Sequence, residues 1–331
     1  MPVPDEIGDG QLKGKVFYVW FDAPIEYISA TKEWADANGK GDEWVKWWRP
    51  ENAKDVAYYE FMAKDNVPFH TVGFPVTIMG SGENWKLVDR IKGFNWLTYY
   101  GGKFSTSQHR GIFMDKALEA QPADAWRWYL MANAPESADA SFTWEHFAGV
   151  VNKDLADVFG NFVNRITKFT ASRFDGKVPE EGDYGEAEKA LTADLDSRIA
   201  KLSAFLDDLE YRKALAELRA IWVAGNEYLT VAAPWTHFKT DKVKAAIGVR
   251  MGLNLVRLFA ALSSPVVPGL AKAAASAFGD APDVIAWPKQ PMVEYLRSLT
   301  PGSTVTPPAV LVTKITDEQV EAWKAEFGGA E

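Results

Sequence analysis

No cysteine occurs anywhere in the 331 residues. That absence excludes disulfides, a thiolate nucleophile and any cysteine zinc site, and it agrees with a reducing compartment. Histidine is almost as scarce: His70, His109, His146 and His237 are the whole complement, too scattered along the chain to suggest a metal cluster. Neither a G-x-x-x-x-G-K-[ST] loop nor a G-x-G-x-x-G turn is present, so kinase and dehydrogenase readings lose their support. A G-x-S-x-G nucleophile elbow is missing as well. No window approaches the roughly 20 apolar residues of a membrane span, and Met1-Pro2-Val3-Pro4-Asp5-Glu6 has neither the basic nor the apolar region of a signal peptide. A cytoplasmic location without a membrane partner is therefore expected. A formal net charge of -9 argues against a surface coated in Lys and Arg for non-specific nucleic-acid binding, although a local groove can still be basic.

What is present is an ordinary globular composition, 47% hydrophobic over 331 residues, enough for two domains with a core in each. Residues 1–14 are polar and glycine-bearing. Lys15-Val16-Phe17-Tyr18-Val19-Trp20-Phe21 then reads as a buried strand, because β-branched and aromatic residues run on without polar alternation. Asp22-Ala23-Pro24 breaks it, and Pro24 opens a helix expected over 25–37. A second strand is expected over 55–62. It ends in Ala63-Lys64-Asp65-Asn66, and His70 opens a helix running to 79. Polar residues handed from a strand end to a helix start are the usual ligand position in open α/β sheets. His70 alone reads as a satisfied structural residue; only its company points to a pocket.

A third strand, expected over 93–100, feeds Gly101-Gly102-Lys103-Phe104-Ser105-Thr106-Ser107. Two glycines permit φ > 0, so backbone amides, three hydroxyls and a lysine can converge on an anion, naturally a polyphosphate. A glycine turn with a solvated lysine accounts for the same seven residues. Beyond it a helix is expected over 121–132, and 135–141 is a polar break. From Trp144 onward, Phe147, Val151, Leu155, Val158, Phe162, Ile166 and Phe169 recur every three or four positions, one face of a long helix capped by Thr143. Helices near 185–207, 209–231, 241–262 and 266–278 complete a bundle. A linker rich in Pro and Thr at 300–309 leads to a last helix near 316–323, expected to dock through Val320 and Trp323. Asn161 and Arg165 lie four residues apart on one helical face. An amide beside a guanidinium can read base edges, while a surface hydrogen-bonded pair is the ordinary alternative. Trp235, after Pro234, either stacks on a base or plugs the bundle.

Taken together, these stretches resemble the methionyl-tRNA synthetase family of class I aminoacyl-tRNA synthetases, over nearly the whole chain. The likeness rests on Phe17-Tyr18-Val19-Trp20-Phe21-Asp22-Ala23-Pro24-Ile25-Glu26-Tyr27, on Tyr59-Glu60-Phe61-Met62-Ala63-Lys64-Asp65-Asn66-Val67-Pro68-Phe69-His70, and on Lys103-Phe104-Ser105-Thr106-Ser107, which is similar to the KMSKS signature. Val151-Asn152-Lys153-Asp154, Gly160-Asn161-Phe162-Val163-Asn164-Arg165 and Ala233-Pro234-Trp235 resemble the family's anticodon-binding helices. The resemblance implies an α/β second half of a Rossmann-like class I catalytic domain over 1–140, with the KMSKS-like loop at 101–110. An all-α anticodon-binding helical bundle over 141–299 follows, and then a linker and C-terminal helix over 300–331.

The activity implied is that of a methionine–tRNA ligase, in which ATP activates methionine for transfer to tRNA-Met. Carried over by resemblance, Trp20, Ala23, Pro24, Tyr27 and His70 line the methionine pocket, where aromatic walls suit a polarisable thioether. Ala63, Lys64, Asp65, Leu97, Lys103 and Phe104 bind ATP, which arrives with Mg2+ as a substrate, and no zinc site is expected. Lys103, Ser105, Thr106 and Ser107 are the catalytic loop residues, stabilising charge as pyrophosphate leaves. Asn161, Arg165 and Trp235 read the CAU anticodon. Three departures stand out. Thr106 replaces the second signature lysine, with Arg110 or His109 as candidate substitutes; Ala63 replaces the usual glycine; and no H-x-G-H, the HIGH motif, occurs. A split or truncated enzyme is thus expected, inactive without a separate N-terminal half and carrying an unpaired sheet edge and exposed apolar surface near Trp20. A non-catalytic anticodon-binding module and a decayed synthetase paralogue are the alternatives.

Overall fold

A computed structural model describes residues 2–328 apart from Asp5, Asp9, Glu181, Ala281, Asp283 and Gln290, with Phe21 and Asp22 described by backbone alone. The chain divides into two compact units, residues 1–96 with 135–139, and residues 97–134 with 140–331.

In the first unit, the single turn α1 (Val19–Asp22) passes through a 3-10 turn, Ala23–Ile25, into α2 (Glu26–Ala37). Then come α3 (Val45–Trp48), β1 (Tyr59–Ala63), a π-helical turn at Phe69–Gly73 that runs into α4 (Phe74–Gly80), and β2 (Arg90–Phe94). β1 and β2 pair in parallel, Tyr59 against Arg90 and Ala63 against Phe94, and α4 lies in the long crossover that a parallel pair needs. The core here is small: Ile28, Trp48, Phe74 and Ile78.

The strand expected over 15–21 does not form. Val16, Tyr18 and Val19 are instead 69%, 65% and 61% exposed, and the segment ends in the turn α1. A strand buried on both faces needs neighbours for its backbone N–H and C=O groups. A bridge from Pro2 to Val16 meets it, and from Val19 onward the helical turn closes the backbone bonds locally. The second strand is shorter and later than expected, at 59–63. The third is two strands in two sheets, because Asn95 N donates to the Pro135 carbonyl and Trp96 N to the Asp139 carboxylate, which interrupts the run.

The second unit begins with β3 (Leu97–Tyr99). After α5 (Met114–Ala120) and α6 (Ala123–Ala132) the chain returns as β4 (Ala140–Phe142), parallel to β3. The long helix then starts as predicted: Thr143 Oγ1 accepts the His146 N–H at 3.2 Å and opens α7 (Trp144–Val150). It widens into a π-helical stretch, Val151–Gly160, and continues as α8 (Asn161–Arg173). Gly160 belongs to that stretch, since a Cβ there would lie 3.0 Å from the Leu155 carbonyl oxygen. Asp154, buried in the same stretch, ties it to α6 by accepting from Trp128 Nε1 at 3.2 Å, and also takes the Nε–H of Arg219.

The bundle follows as α9 (Glu186–Asp207), α10 (Tyr211–Ala232), α11 (Pro234–His237), α12 (Lys242–Ser263), α13 (Pro268–Ala275), α14 (Met292–Tyr295) and α15 (Asp317–Phe327). Val320 and Trp323 of α15 are buried, the Trp323 ring 4.7 Å from that of Trp144, so the last helix docks through the expected residues. One expectation is corrected. By length and composition α12 is apolar enough to cross a membrane, the one such helix among the described residues, and 83% of its apolar window is buried. Its composition is that of a central core helix, packed against α10, α8, α11 and α13.

Candidate functional site

His70 is 3% exposed and sits in the wide turn that Pro68 introduces. A carbonyl only accepts, so the 2.9 Å contact between His70 Nδ1 and the Asn66 carbonyl oxygen puts the ring proton on Nδ1. In that tautomer Nε2 accepts the Tyr27 hydroxyl at 2.8 Å. Trp20 stands edge-on to His70 with centroids 6.2 Å apart and stacks on Phe69 at 5.3 Å, while the Tyr27 ring lies 5.8 Å from His70. Burial, followed by the charges of Glu60 and Glu26, raises the Tyr27 hydroxyl above its ordinary pKa, so it remains a donor at neutral pH. Trp20 and Tyr27 thus each make ring contact with His70, and Ala23 and buried Pro24 form the turn that carries the chain from Trp20 to Tyr27.

Ala63 ends β1 opposite Phe94, at the carboxyl end of the parallel pair. Lys64 N donates to the Phe94 carbonyl at 2.7 Å. Its Nζ reaches Asn95 Oδ1 at 3.2 Å and Asp139 Oδ1 at 3.0 Å, with the Trp96 ring 5.9 Å away. The Trp96 backbone N–H, and then the Lys64 ammonium, hold the Asp139 carboxyl below its usual range. Asp65 is exposed. The amine and the carboxylate expected to face a nucleotide therefore emerge side by side from the strand end.

In the second unit, Tyr99 and Gly102 exchange backbone hydrogen bonds of 2.8 and 3.0 Å. Tyr100 and Gly101 occupy the corner with φ of 46° and 75°, the primed-turn geometry for which a glycine is suited. Ser105 and Arg110 exchange two more bonds, both 2.9 Å, which close Thr106–His109 as a second corner. Phe104 anchors the loop: its ring lies 5.6 Å from that of Tyr99 and 6.4 Å from that of Phe113, and a Cβ on Gly111 would come within 2.2 Å of it. Leu97 likewise packs on the core. Lys103, Thr106 and Ser107 are exposed, and Ser105 Oγ, 3.3 Å from Ser107 Oγ, accepts the Gln108 N–H at 3.3 Å. Arg110 is committed to the fold rather than offered as a substitute for the missing lysine, since its Nη2 donates to the Tyr99 carbonyl at 3.0 Å and its guanidinium lies across Gly102.

Asn161 is exposed on α8, and no hydrogen bond joins it to Arg165 among the described residues. The Arg165 guanidinium lies over the Trp235 ring instead, 4.5 Å from its centroid. Ala233 takes the left-handed conformation, φ 35°, that ends α10, and buried Pro234 starts α11. Phe169 meets the Trp235 ring edge-on, 6.3 Å between centroids at 90°. Trp235 is half-buried, so it fills the bundle and still offers surface. Among the described residues, no group of three or more His, Cys, Asp or Glu is arranged to hold a metal ion.

Residues 1–167 match the family model described as tRNA synthetases class I (M), and residues 178–331 match that of the anticodon binding domain of methionyl tRNA ligase. The chain belongs to the class I tRNA synthetases of the M family. Similar proteins include the methionine–tRNA ligases of Maricaulis maris (strain MCS10), 58% identical over 320 residues, and of Ruegeria pomeroyi (strain ATCC 700808 / DSM 15171 / DSS-3), 56% identical over 320 residues. The alignments cover 96% of this chain and 56% and 55% of those proteins, so the chain spans about half the length of the curated relatives it matches. A solved Mycobacterium tuberculosis methionyl-tRNA synthetase in complex with methionyl-adenylate is similar with a TM-score of 0.75 and 26% identity, over 89% of this chain and 56% of that one. The expected architecture holds: the second half of a class I synthetase catalytic fold, followed by an all-α anticodon-binding bundle.

For this class I synthetase chain, sequence reasoning singles out ring and charge positions but not what steadies them. Asn66 reads from the sequence as one of the polar residues at the strand end, and its hold on His70 is not legible there because it is made by a backbone carbonyl, which any residue type supplies. Asp139 lies in the polar break at 135–141, and nothing local relates it to Lys64, 75 residues earlier.

Proposed function

We propose that the chain is the C-terminal portion of a methionine–tRNA ligase that works in the cytoplasm together with a HIGH-bearing N-terminal half. The observation that carries this reading is 58% identity to a methionine–tRNA ligase across 96% of the chain. The aromatic contacts around His70 support it. On this reading Trp20, Ala23, Pro24, Tyr27 and His70 line the methionine side-chain pocket, with the imidazole and the Tyr27 hydroxyl as its polar edge. Ala63, Lys64, Asp65, Leu97 and Phe104 serve the ATP site, Asp65 toward the ribose hydroxyls. Lys103, with Ser105, Thr106 and Ser107, meets the triphosphate of ATP, which arrives with Mg2+.

The reaction begins when the methionine carboxylate attacks the α-phosphate and pyrophosphate departs. A cation fixed where charge accumulates stabilises the transition state more than the ground state, which is the contribution assigned to Lys103. With Thr106 in place of a second lysine and Arg110 turned into the fold, Lys103 carries that task with one cation fewer than the family pattern. Residues 141–299 read the anticodon through Asn161, Arg165 and Trp235, and 300–331 form the linker and closing helix.

Methionine-dependent ATP–pyrophosphate exchange tests this. The 331-residue chain alone is expected to give no exchange above background, and addition of an N-terminal half from a close relative is expected to restore it. Substantial exchange by the chain alone would refute the dependence on a second half. A second reading, a non-catalytic anticodon-binding module, is favoured by the reduced charge of the Lys103 loop; it predicts binding of tRNA-Met with no exchange even in the mixture.

A further inference from the structure

The ridge of α8 that bears Arg165 continues beyond the residues assigned to the anticodon. Arg165, Phe169 and Arg173 follow one another at intervals of four, so they form a single row along the helix, roughly 12 Å from first to last at 1.5 Å per residue. Phe169 touches Trp235 on one side and the Phe238 ring on the other, 6.0 Å away at 83°. Phe238 in turn sits under two cations: Arg173 Cζ lies 5.7 Å and Lys242 Nζ 5.8 Å from its ring centroid. Trp235 with Arg165, and Phe238 with Arg173 and Lys242, are therefore two neighbouring aromatic rings, each carrying cations and linked through Phe169.

The way these cations are held decides what they can do. A carboxylate partner would neutralise them, whereas an aromatic face orients a cation and leaves its charge intact. Arg173 and Lys242 are exposed, and neither forms a salt bridge among the described residues. The acid next to Lys242 in sequence, Asp241, is turned to the start of α12, where it accepts the Lys244 N–H at 3.0 Å, and Asp175, two residues from Arg173, forms no salt bridge with it among the described residues. In a chain of net charge -9, unneutralised cations set in line with a base-stacking tryptophan are a local feature suited to a polyanion.

We propose that Arg173 and Lys242, steadied by Phe238, bind backbone phosphates of the RNA strand that flanks the bases read by Arg165 and Trp235. The inference rests on the anticodon reading and extends it from bases to backbone. Phosphate contacts carry no sequence information; they set the register in which the strand is offered to the base-reading side chains.

Binding of a tRNA-Met anticodon stem-loop to the full chain, measured by fluorescence anisotropy across a salt series beside a stem-loop with an altered anticodon, tests the proposal. Arg173→Ala and Lys242→Ala are each expected to weaken both RNAs by the same factor and to reduce the slope of log K against log salt by about 0.7 to 1. Arg173→Lys should retain the slope. Trp235→Ala should erode discrimination between the two RNAs and leave the slope in place. Both side chains are exposed, so circular dichroism of the alanine variants should match the parent. If the parent chain discriminates between the RNAs and neither alanine variant changes affinity or slope, the phosphate track is overturned while the anticodon reading stands. If the parent binds both RNAs equally, the anticodon reading fails, and loss of slope in the variants still supports the track. No binding of either RNA overturns both.

Discussion

The side chain on which the proposed methionine pocket turns is His70, and its protonation pattern follows from two contacts. The Asn66 carbonyl holds Nδ1 and the Tyr27 hydroxyl meets Nε2, so both ring nitrogens are engaged by hydrogen bonds within the fold. Tyr27→Phe removes that donor. It is expected to cost about 0.5–1.5 kcal/mol in urea denaturation, while nitrogen chemical shifts of His70 still report the Nδ1–H tautomer, because the Asn66 carbonyl is untouched. A second expectation belongs to the Lys103 loop. Thr106→Lys restores the charge that the family pattern places there, and the reconstituted enzyme should show a lower KM for ATP with little change in KM for methionine. Equal KM values for ATP would mean that position 106 does not face the triphosphate. These residue types were legible in the sequence because aromatic, imidazole and lysine side chains carry their chemistry with them. The partner atoms that steady them were not, because a backbone carbonyl at 66 and a carboxylate at 139 are placed by the fold alone.

Among the elements, α15 holds more than its own place. Lys324 of α15 pairs with Glu145 of α7 at 2.8 Å, and Glu145 also accepts the Tyr100 hydroxyl at 2.7 Å, so the strained corner beside Gly101 is braced from the last helix. Gly111 N also donates to the Phe327 carbonyl at 3.0 Å. The Lys324 ammonium, and then the Tyr100 hydroxyl, pull the Glu145 carboxyl down to about 2. A carboxyl depressed in the folded protein stabilises it above the unfolded pKa, roughly 4.3, and that contribution fades as pH falls toward the folded value. Protection factors of residues 317–327, taken against the intrinsic exchange rate at each pH, should therefore fall on acidification from about pH 4 to pH 2, with the step lost in Glu145→Gln. Helix packing offers another check. A Cβ on Gly225 of α10 would lie 2.5 Å from the Phe259 ring of α12, so Gly225→Ala should lower stability by about 1–3 kcal/mol through overpacking, read as a shift of the urea midpoint. The helices themselves were readable from the 3.6-residue spacing of apolar residues; the π-helical stretch at 151–160 was not, since that spacing continues through it.

For the molecule as a whole, the two units differ greatly in what they bury. The second has a large continuous core, in which α12 contributes residues from Ala245 to Ser263, whereas the first packs Ile28, Trp48, Phe74 and Ile78. A buried aliphatic or aromatic side chain contributes about 1.5–3 kcal/mol, so the first unit is expected to open first. Urea unfolding should show two transitions, and hydrogen exchange should be fast in 1–96 and slowest in α12; a single cooperative transition across both would contradict this. The difference also explains what could be read in advance. Helices satisfy their backbone within a few residues, so the bundle, the Thr143 cap and the docking residues of α15 followed from local pattern, and the motif residues announced their chemistry by type. Whether 15–21 becomes a strand, which sheet receives 97–99, and whether Arg110 is free for a ligand all depend on groups distant in sequence. Those questions were decided only by tertiary structure, because a strand or a guanidinium must find its hydrogen-bond partners elsewhere in the chain.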